Sequence, residues 1–507
     1  MTGCADPMTF AHVWANAAST RPDAPFLTFE APDGTVTDWT YGEFDRVVAR
    51  AATELSSHGV GPGAAVHLAL TNSPTFVAVW IATVRLGGWI VPSDPMGRSA
   101  ELADHIERTG PVAGFFAENR ATVYRAAATD IALFPIDEAD VDFEWLPTQE
   151  FTHWPEPGLR DAAAVMFTSG TTGRPKGVVV SQANYAFAGQ TMAEAADLTS
   201  EDRYLVVLPM FHANAQYYSF AAAVWAGASV ALMHTFSASG FLPQAQRHAA
   251  TCASLFAAPL RMILARGGPV EGLRLRHCWF AQNIADDQHR VITEWFGCAP
   301  RQLYGMTETI PAVLTDEAAL PRADSMGFVT AGCDVEIHDV EGVRVGVDEV
   351  GEIVVRATPG LTLFTEYLAD PETTADSFDG EWFRTGDRAS CDSTGRFFFE
   401  GRRSDVLKVA GENVSTVEVE AVLTAHPAVL EASVIGVPDQ VRDEVPVAFV
   451  VAAEPDSPPS VADLHEWCQS RLGKAKRPRE ITLLDELPRT SVGKIRKFML
   501  KDEVLQT

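Results

Sequence analysis

No apolar run in the 507-residue sequence reaches the about 18–20 residues that a bilayer-spanning helix requires, so the chain offers no transmembrane-helix candidate. Its seven cysteines (4, 252, 278, 298, 333, 391 and 468) include no C-x-x-C pair and no histidine at zinc spacing. That excludes a thiolate zinc site and a disulfide scaffold, and the cysteines read as free thiols in a reducing cytoplasm. Positive charge is scarce: 39 Lys and Arg stand against 67 Asp and Glu, a net charge of −28, which argues against nucleic acid or an anionic membrane as a bulk partner. The first residues, MTGCADPMTF, lack both a basic leader and an apolar core, so no secretory signal is expected. There is no internal repeat and no low-complexity tract. What remains is an ordinary globular composition, 47% hydrophobic and 21% charged, in a chain long enough for two to four lobes at about 100–200 residues each.

The first 160 residues alternate apolar helices with short buried strands. Pro74 to Leu86 has helical periodicity, and Gly87-Gly88 followed by Trp89 to Pro92 reads as a turn into a strand. Ala162 to Phe167 and Val178 to Val180 are strands on either side of a loop, with Ser181 placed to cap the next helix. From Tyr204 to Tyr304, the segments LVVLPMF, ASVALM, ASLFAAP and RHCWFA are expected as buried strands between helices, an α/β architecture with a largely internal sheet. From about Gly332 to Arg356 the apolar positions alternate at period two, which predicts a more antiparallel, barrel-like lobe. Beyond Arg402 the pattern is compact α+β: VSTVEVEAVLTAHP as a helix, ASVIGVP and PVAFVVA as strands, and Pro455 to Ser460 as a surface loop.

The loop after Phe167 is the most informative stretch. Thr168, Ser169, Gly170, Thr171, Thr172, Gly173, Arg174, Pro175, Lys176 and Gly177 run T-S-G-T-T-G-R-P-K-G. Glycines allow backbone N–H groups to turn onto an anion, hydroxyls donate further hydrogen bonds, and Lys176 adds a point charge. The spacing fits neither G-x-x-x-x-G-K-[ST] nor a helix-opening G-x-G-x-x-G, so another nucleotide chemistry is indicated. Four more islands follow: Y-G-M-T-E-T (Tyr304 to Thr309), W-F-R-T-G-D (Trp382 to Asp387), G-R-R-S-D-V-L-K-V-A-G-E (Gly401 to Glu412) and L-P-R-T-S-V-G-K-I-R-K (Leu487 to Lys497). A carboxylate such as Glu308 suits Mg²⁺, which takes one or two carboxylates beside phosphate oxygens and keeps several waters. A buried Asp387 can accept from two hydroxyls at once.

In this order, the five islands resemble the adenylate-forming superfamily of acyl-CoA synthetases, aryl-CoA ligases, luciferases and peptide-synthetase adenylation domains. The resemblance runs from W-T-Y-G-E-F at Trp39 to Lys497. Within the superfamily, H-A-N-A-Q (His212 to Gln216), T-P-G-L-T-L-F-T-E-Y (Thr358 to Tyr367) and G-E-N-V-S (Gly411 to Ser415) look most like the crotonobetaine/carnitine-CoA ligase branch. The resemblance implies a large N-terminal domain over 1–401, with αβ-layered sheets and a β-barrel-like lobe at about 330–400. It further implies a hinge at 402–404 and a small mobile α+β domain over 405–507. It assigns ATP, Mg²⁺ and CoA: the loop from Thr168 to Lys176 to the β and γ phosphates, Tyr304 to adenine, Thr307 to the α-phosphate, Glu308 to the metal, and Asp387 and Arg402 to the ribose, with Gly411 in the nucleotide-binding set. Lys494 falls at the catalytic lysine, and His212 at the junction of acyl pocket and pantetheine tunnel. The hinge position, commonly Asp or Lys, is Ser404 here.

The implied reaction activates a carboxylic acid as its adenylate, releases pyrophosphate, and passes the acyl group to CoA. Where many relatives place Gly-Gly-Ala, this chain has Ala281-Gln282-Asn283, so a short or polar acid is expected. Lys474, Lys476, Arg477 and Arg479 form a dense basic cluster, a candidate for the CoA 3′-phosphate. Other readings keep adenylation and change the rest: a small anion such as nitrite attacked as its adenylate by an aromatic amine, or acyl transfer to a carrier protein. A catalytically silent binding protein is the alternative from outside enzymology. A homodimer is left open.

Overall fold

A computed structural model describes residues 7–128, 130–168, 175–402, 406–409, 412–439, 442–454, 456–489, 495–497 and 499–501. The chain forms two compact units, Met1–Val335 with Val355–Phe383, and Glu336–Val354 with Arg384–Thr507. No helix among the described residues is long and apolar enough to cross a membrane.

Two large sheets organise the first unit. One has six strands in the order Ala132–Ile136, Ala113–Ala117, Ala65–Ala69, Trp89–Pro92, Ala162–Thr168 and Lys176–Ser181. It is parallel except at its last pair, where Ala162–Thr168 and Lys176–Ser181 run antiparallel. The other has nine strands, with Arg301–Tyr304, His277–Ala281, Cys252–Phe256, Arg203–Val206, Ser229–Met233 and Pro25–Glu30 forming its parallel middle. Strands buried on both faces read as continuous apolar runs, which is why they were visible in the sequence. The helix Pro74–Arg85 shows the same logic. Ser73 accepts from the Phe76 N–H at its N-cap, Pro74 supplies the first helical φ, and all twelve residues are buried. Gly88 is required where that helix meets the sheet, because a Cβ there would lie 2.8 Å from the Ala64 carbonyl oxygen.

Several expectations needed adjustment. Of LVVLPMF only Leu205 and Val206 are strand, at the end of Arg203–Val206. The Asn72 side chain, 2% exposed, donates to the Leu208 and Met233 carbonyls and accepts from the Met210 N–H, so the chain leaves the sheet and turns. ASLFAAP is strand only to Phe256, and Ala257 already opens the helix Ala257–Arg266. Ser181 caps the helix Gln182–Ala195 as expected, accepting from the Asn184 N–H at 3.0 Å.

The period-two stretches become the strands Val335–His338 and Gly351–Arg356. In the second unit, Asp387 to Cys391 pairs antiparallel with Phe397–Arg402. A second sheet there is built on the long hairpin Val429–Asp439 and Asp443–Ala452, with Glu480–Leu484 added in parallel. Thr416–Thr424 and Val461–Arg471 are its helices, closing a core that includes Val419, Leu423, Val434, Ala448, Val450 and Leu464. The architecture is the expected α/β fold, with an α+β module at its C-terminal end.

Candidate active site

The expected phosphate loop is flanked by an antiparallel pair of strands, Ala162–Thr168 and Lys176–Ser181. Thr168 and Lys176 face each other as the last paired residues of their strands, both half-buried, so the backbone delivers a hydroxyl and an ammonium to the mouth of the loop. Ser169, Gly170, Thr171, Thr172 and Gly173 lie outside the described residues. This strand pair is braced by the helix Ser99–Thr109: the His105 ring stacks on Phe167 at 3.9 Å, and Arg108 donates to the Pro175 carbonyl at 2.7 Å. Behind them runs a buried polar chain. Tyr124 is hydrogen-bonded to His67, His67 to Ser93, and Ser93 to His105. Burial pushes His67 down to about 3 and His105 to about 4, so both rings are neutral.

The second wall is the turn after Arg301–Tyr304. Tyr304 and Thr307 are half-buried and Glu308 is 4% exposed. Gly305 admits no side chain, since a Cβ would sit 2.8 Å from the Tyr218 hydroxyl oxygen and 2.9 Å from the Pro311 carbonyl oxygen. Ile310 holds φ +72°, in the left-handed region that a β-branched residue rarely enters, which marks a turn fixed by its surroundings.

A segment to which the sequence assigned no catalytic role joins the strand Lys176–Ser181 to this turn. Residues 364–368 lie along Lys176–Ser181, with Thr365 N–H to the Val179 carbonyl, Val179 N–H to the Glu366 carbonyl and Leu368 N–H to the Gly177 carbonyl. The Phe364 N–H reaches the Glu308 carbonyl at 2.9 Å. This places the Tyr367 hydroxyl 3.0 Å from Glu308 Oε1, to which it donates, and the Lys176 ammonium 4.5 Å from the Tyr367 ring centre. Burial and the neighbouring Glu308 raise the Tyr367 phenol well above its ordinary range, so it stays a donor. Lys176, Tyr367 and Glu308 thus form one cluster.

Mg²⁺ fits this donor set. Among the described residues no group of three His, Cys, Asp or Glu side chains could hold a metal, so a cation at Glu308 would take its other ligands from phosphate and water, as Mg²⁺ does.

The residues expected at the acid pocket lie on two further segments of the first unit. His212 is half-buried against Phe211, its N–H bonded to the Pro209 carbonyl. It is followed by a π-helix, Asn214–Ala221, a rare form that concentrates at functional sites. Gln216 fixes this entry by donating to the Met210 carbonyl and accepting from Tyr185. Asn214 is 4% exposed with neither amide atom hydrogen-bonded to protein. At the end of the strand His277–Ala281, Gln282 adopts φ +75° and Asn283 accepts from Gln302 at 2.9 Å.

In the second unit Asp387 and Arg402 are register partners on adjacent strands, and the Arg402 Nε donates to Asp387 Oδ1 at 2.9 Å. Asp387 is buried and Arg402 exposed. Ser404, Gly411 and Lys494 lie outside the described residues. Of the basic cluster, Lys476 pairs with Glu418, Arg479 with Asp439, and Arg477 donates to two carbonyls. Only Lys474 of the four makes no such contact among the described residues.

These geometries can be set beside known proteins. The profile of the AMP-binding enzyme family matches residues 14–368, and that of the AMP-binding enzyme C-terminal domain matches residues 418–494. This chain belongs to the AMP-binding enzyme family. Crotonobetaine/carnitine–CoA ligases of Escherichia coli O139:H28 and Salmonella agona are each 32% identical to it, over 96% of this chain and 98% of theirs. Among solved structures, the anthranilate CoA ligase AuaEII in complex with anthranoyl-AMP superposes with a TM-score of 0.87 at 25% identity, covering 98% of this chain and 97% of that one. The O-succinylbenzoate coenzyme A synthetase (MenE) of Bacillus subtilis in complex with AMP superposes with 0.83 at 28%, covering 97% and 98%. As a member of the AMP-binding enzyme family, the chain is an AMP-forming acid–CoA ligase that uses ATP, Mg²⁺ and CoA.

Proposed function

We propose that this ligase activates a short or polar carboxylic acid as its acyl-adenylate and transfers the acyl group to CoA. The observation that supports this substrate class is the end of the strand His277–Ala281. There Gln282, in a left-handed conformation, and Asn283, tied to Gln302, present exposed polar groups at the position where many relatives carry Gly-Gly-Ala, which favours an acid without a long alkyl chain.

The roles follow from the chemistry. A carboxylate is a poor electrophile, and joining it to the α-phosphate of ATP converts its oxygen into a leaving group. Thr168, Lys176 and the loop between them hold the β and γ phosphates. Thr307 contacts the α-phosphate, Tyr304 packs at adenine, and Asp387 with Arg402 holds the ribose. Glu308, oriented by Tyr367, would hold the Mg²⁺, which when bound neutralises phosphate charge. Lys494 bridges the incoming carboxylate and the α-phosphate as negative charge builds, a preorganised contact worth on the order of 3 kcal/mol or more in the transition state. His212 lines the acid pocket where the thiol of CoA arrives. Both half-reactions address one acyl carbon, so the C-terminal domain is proposed to turn about 402–404 between them and withdraw Lys494.

Pyrophosphate release measured over acids of increasing chain length, followed by AMP release on adding CoA, tests the reading. Short polar acids are expected to support both steps. Preference for acids longer than about eight carbons, or AMP release with an amine or carrier protein but not with CoA, would contradict it.

A further inference from the structure

Arg261 stands out in a chain rich in acids. The other strongly desolvated arginine, Arg85, is paired with Asp45 at 2.7 Å, and Arg247, Arg276 and Arg384 pair with Glu30, Asp202 and Glu352. Among the described residues Arg261 has no ion pair. Its Nη2 donates to the Asn283 carbonyl at 2.9 Å, and its Nε is fully buried without any partner. Desolvation is the sole influence on it, and it lowers the guanidinium pKa. Arg261 is half-buried, and its buried Nε lacks the acceptor that normally offsets removal from water.

Its place in the fold says which acceptor. Arg261 lies in the first half of the helix Ala257–Arg266, directly after the strand Cys252–Phe256, and it touches Asn283, just past the neighbouring parallel strand His277–Ala281. Ligands of open α/β sheets bind beyond these carboxyl ends. Two hydrogen bonds connect it to the nucleotide wall: Arg261 to Asn283, and Asn283 to Gln302, which is two residues before Tyr304 in the same strand. Nη1 is neither hydrogen-bonded to protein nor among the fully buried unpaired atoms, and so keeps access to a ligand.

We propose that the acid activated by this enzyme is a dicarboxylate, with one carboxylate adenylated and the second held by Arg261. The inference rests on the short-acid reading above and narrows it. A trimethylammonium acid, such as the substrates named for the 32%-identical relatives, would bring a positive charge to the guanidinium and is rejected.

The test is acid-dependent exchange of labelled pyrophosphate into ATP, with wild type and Arg261→Gln. The panel comprises three- to six-carbon dicarboxylates, the matched monocarboxylates and the matched trimethylammonium acids. Wild type is expected to favour one dicarboxylate over its monocarboxylate by at least about 10-fold in kcat/KM. Arg261→Gln is expected to lower that value by roughly 10–100-fold, with the monocarboxylate rate and the KM for ATP within about 2-fold. Wild-type preference for monocarboxylates or trimethylammonium acids overturns the proposal and leaves the ligase reading intact. An unchanged dicarboxylate preference in Arg261→Gln also overturns it. Exchange with no acid in the panel overturns both. Should Arg261→Gln fail to fold, the wild-type panel alone decides.

Discussion

Glu308 is held in place by residues far from it in sequence. Its carbonyl takes the Phe364 N–H, and its carboxylate takes the Tyr367 hydroxyl across 59 residues of sequence separation. A hydrogen bond to a charged group contributes about 1.5–3 kcal/mol. Tyr367→Phe should therefore lower kcat/KM for ATP by roughly 10–100-fold and raise the Mg²⁺ concentration for half-maximal rate, while Lys176 keeps a ring to pack on. A titration with Mg²⁺ checks this, and an unaltered Mg²⁺ requirement would show that the phenol does not orient the carboxylate. Glu308 was legible because it sits in a recognisable run. Tyr367 also lay in such a run, yet nothing in T-E-Y announces a partner 59 positions back. Arg261 was invisible for a different reason: in an amphipathic helix an arginine reads as a solvated face, and only its Nε, buried without a partner among the described residues, makes it unusual.

Among elements, the helix Ser99–Thr109 and the strand Ala65–Ala69 carry the His67–Ser93–His105 chain that backs the strand pair flanking the expected phosphate loop. His67 is held at about 3, His105 at about 4, and His277, buried in the nine-stranded sheet, at about 3. An unfolded histidine titrates near 6.5 (roughly). Between about pH 4 and 6.5 the unfolded chain therefore binds more protons than the native one, and native stability falls as pH drops through that window. Three such groups together give a slope of up to about 4 kcal/mol per pH unit. Urea midpoints at pH 7.5, 6.0 and 5.0 measure it, and His105→Gln should flatten the curve by about one proton. A midpoint unchanged from pH 7.5 to 5.0 would refute the buried neutral histidines. Strands were the most legible elements because parallel strands in the middle of a sheet are apolar throughout. Their ends were not: the Asn72 side chain turns the chain after Val206 through tertiary hydrogen bonds, and the helix at Ala257 starts without a side-chain cap to announce it.

At the scale of the whole molecule, the α/β class and the order of the five motif islands were readable from sequence, because each motif concentrates its chemistry in a few adjacent residues. The joining of strand and turn by residues 364–368 was not, since it depends on long-range backbone pairing. Lys494 is proposed to complete adenylation and to withdraw for thioester formation. The direct measurement compares the two half-reactions in Lys494→Ala: acid-dependent pyrophosphate–ATP exchange, and thioester formation from supplied acyl-adenylate and CoA. The account predicts that exchange falls by at least about 100-fold while thioester formation stays within a few-fold of wild type. Equal loss in both half-reactions, or undiminished exchange, would contradict it.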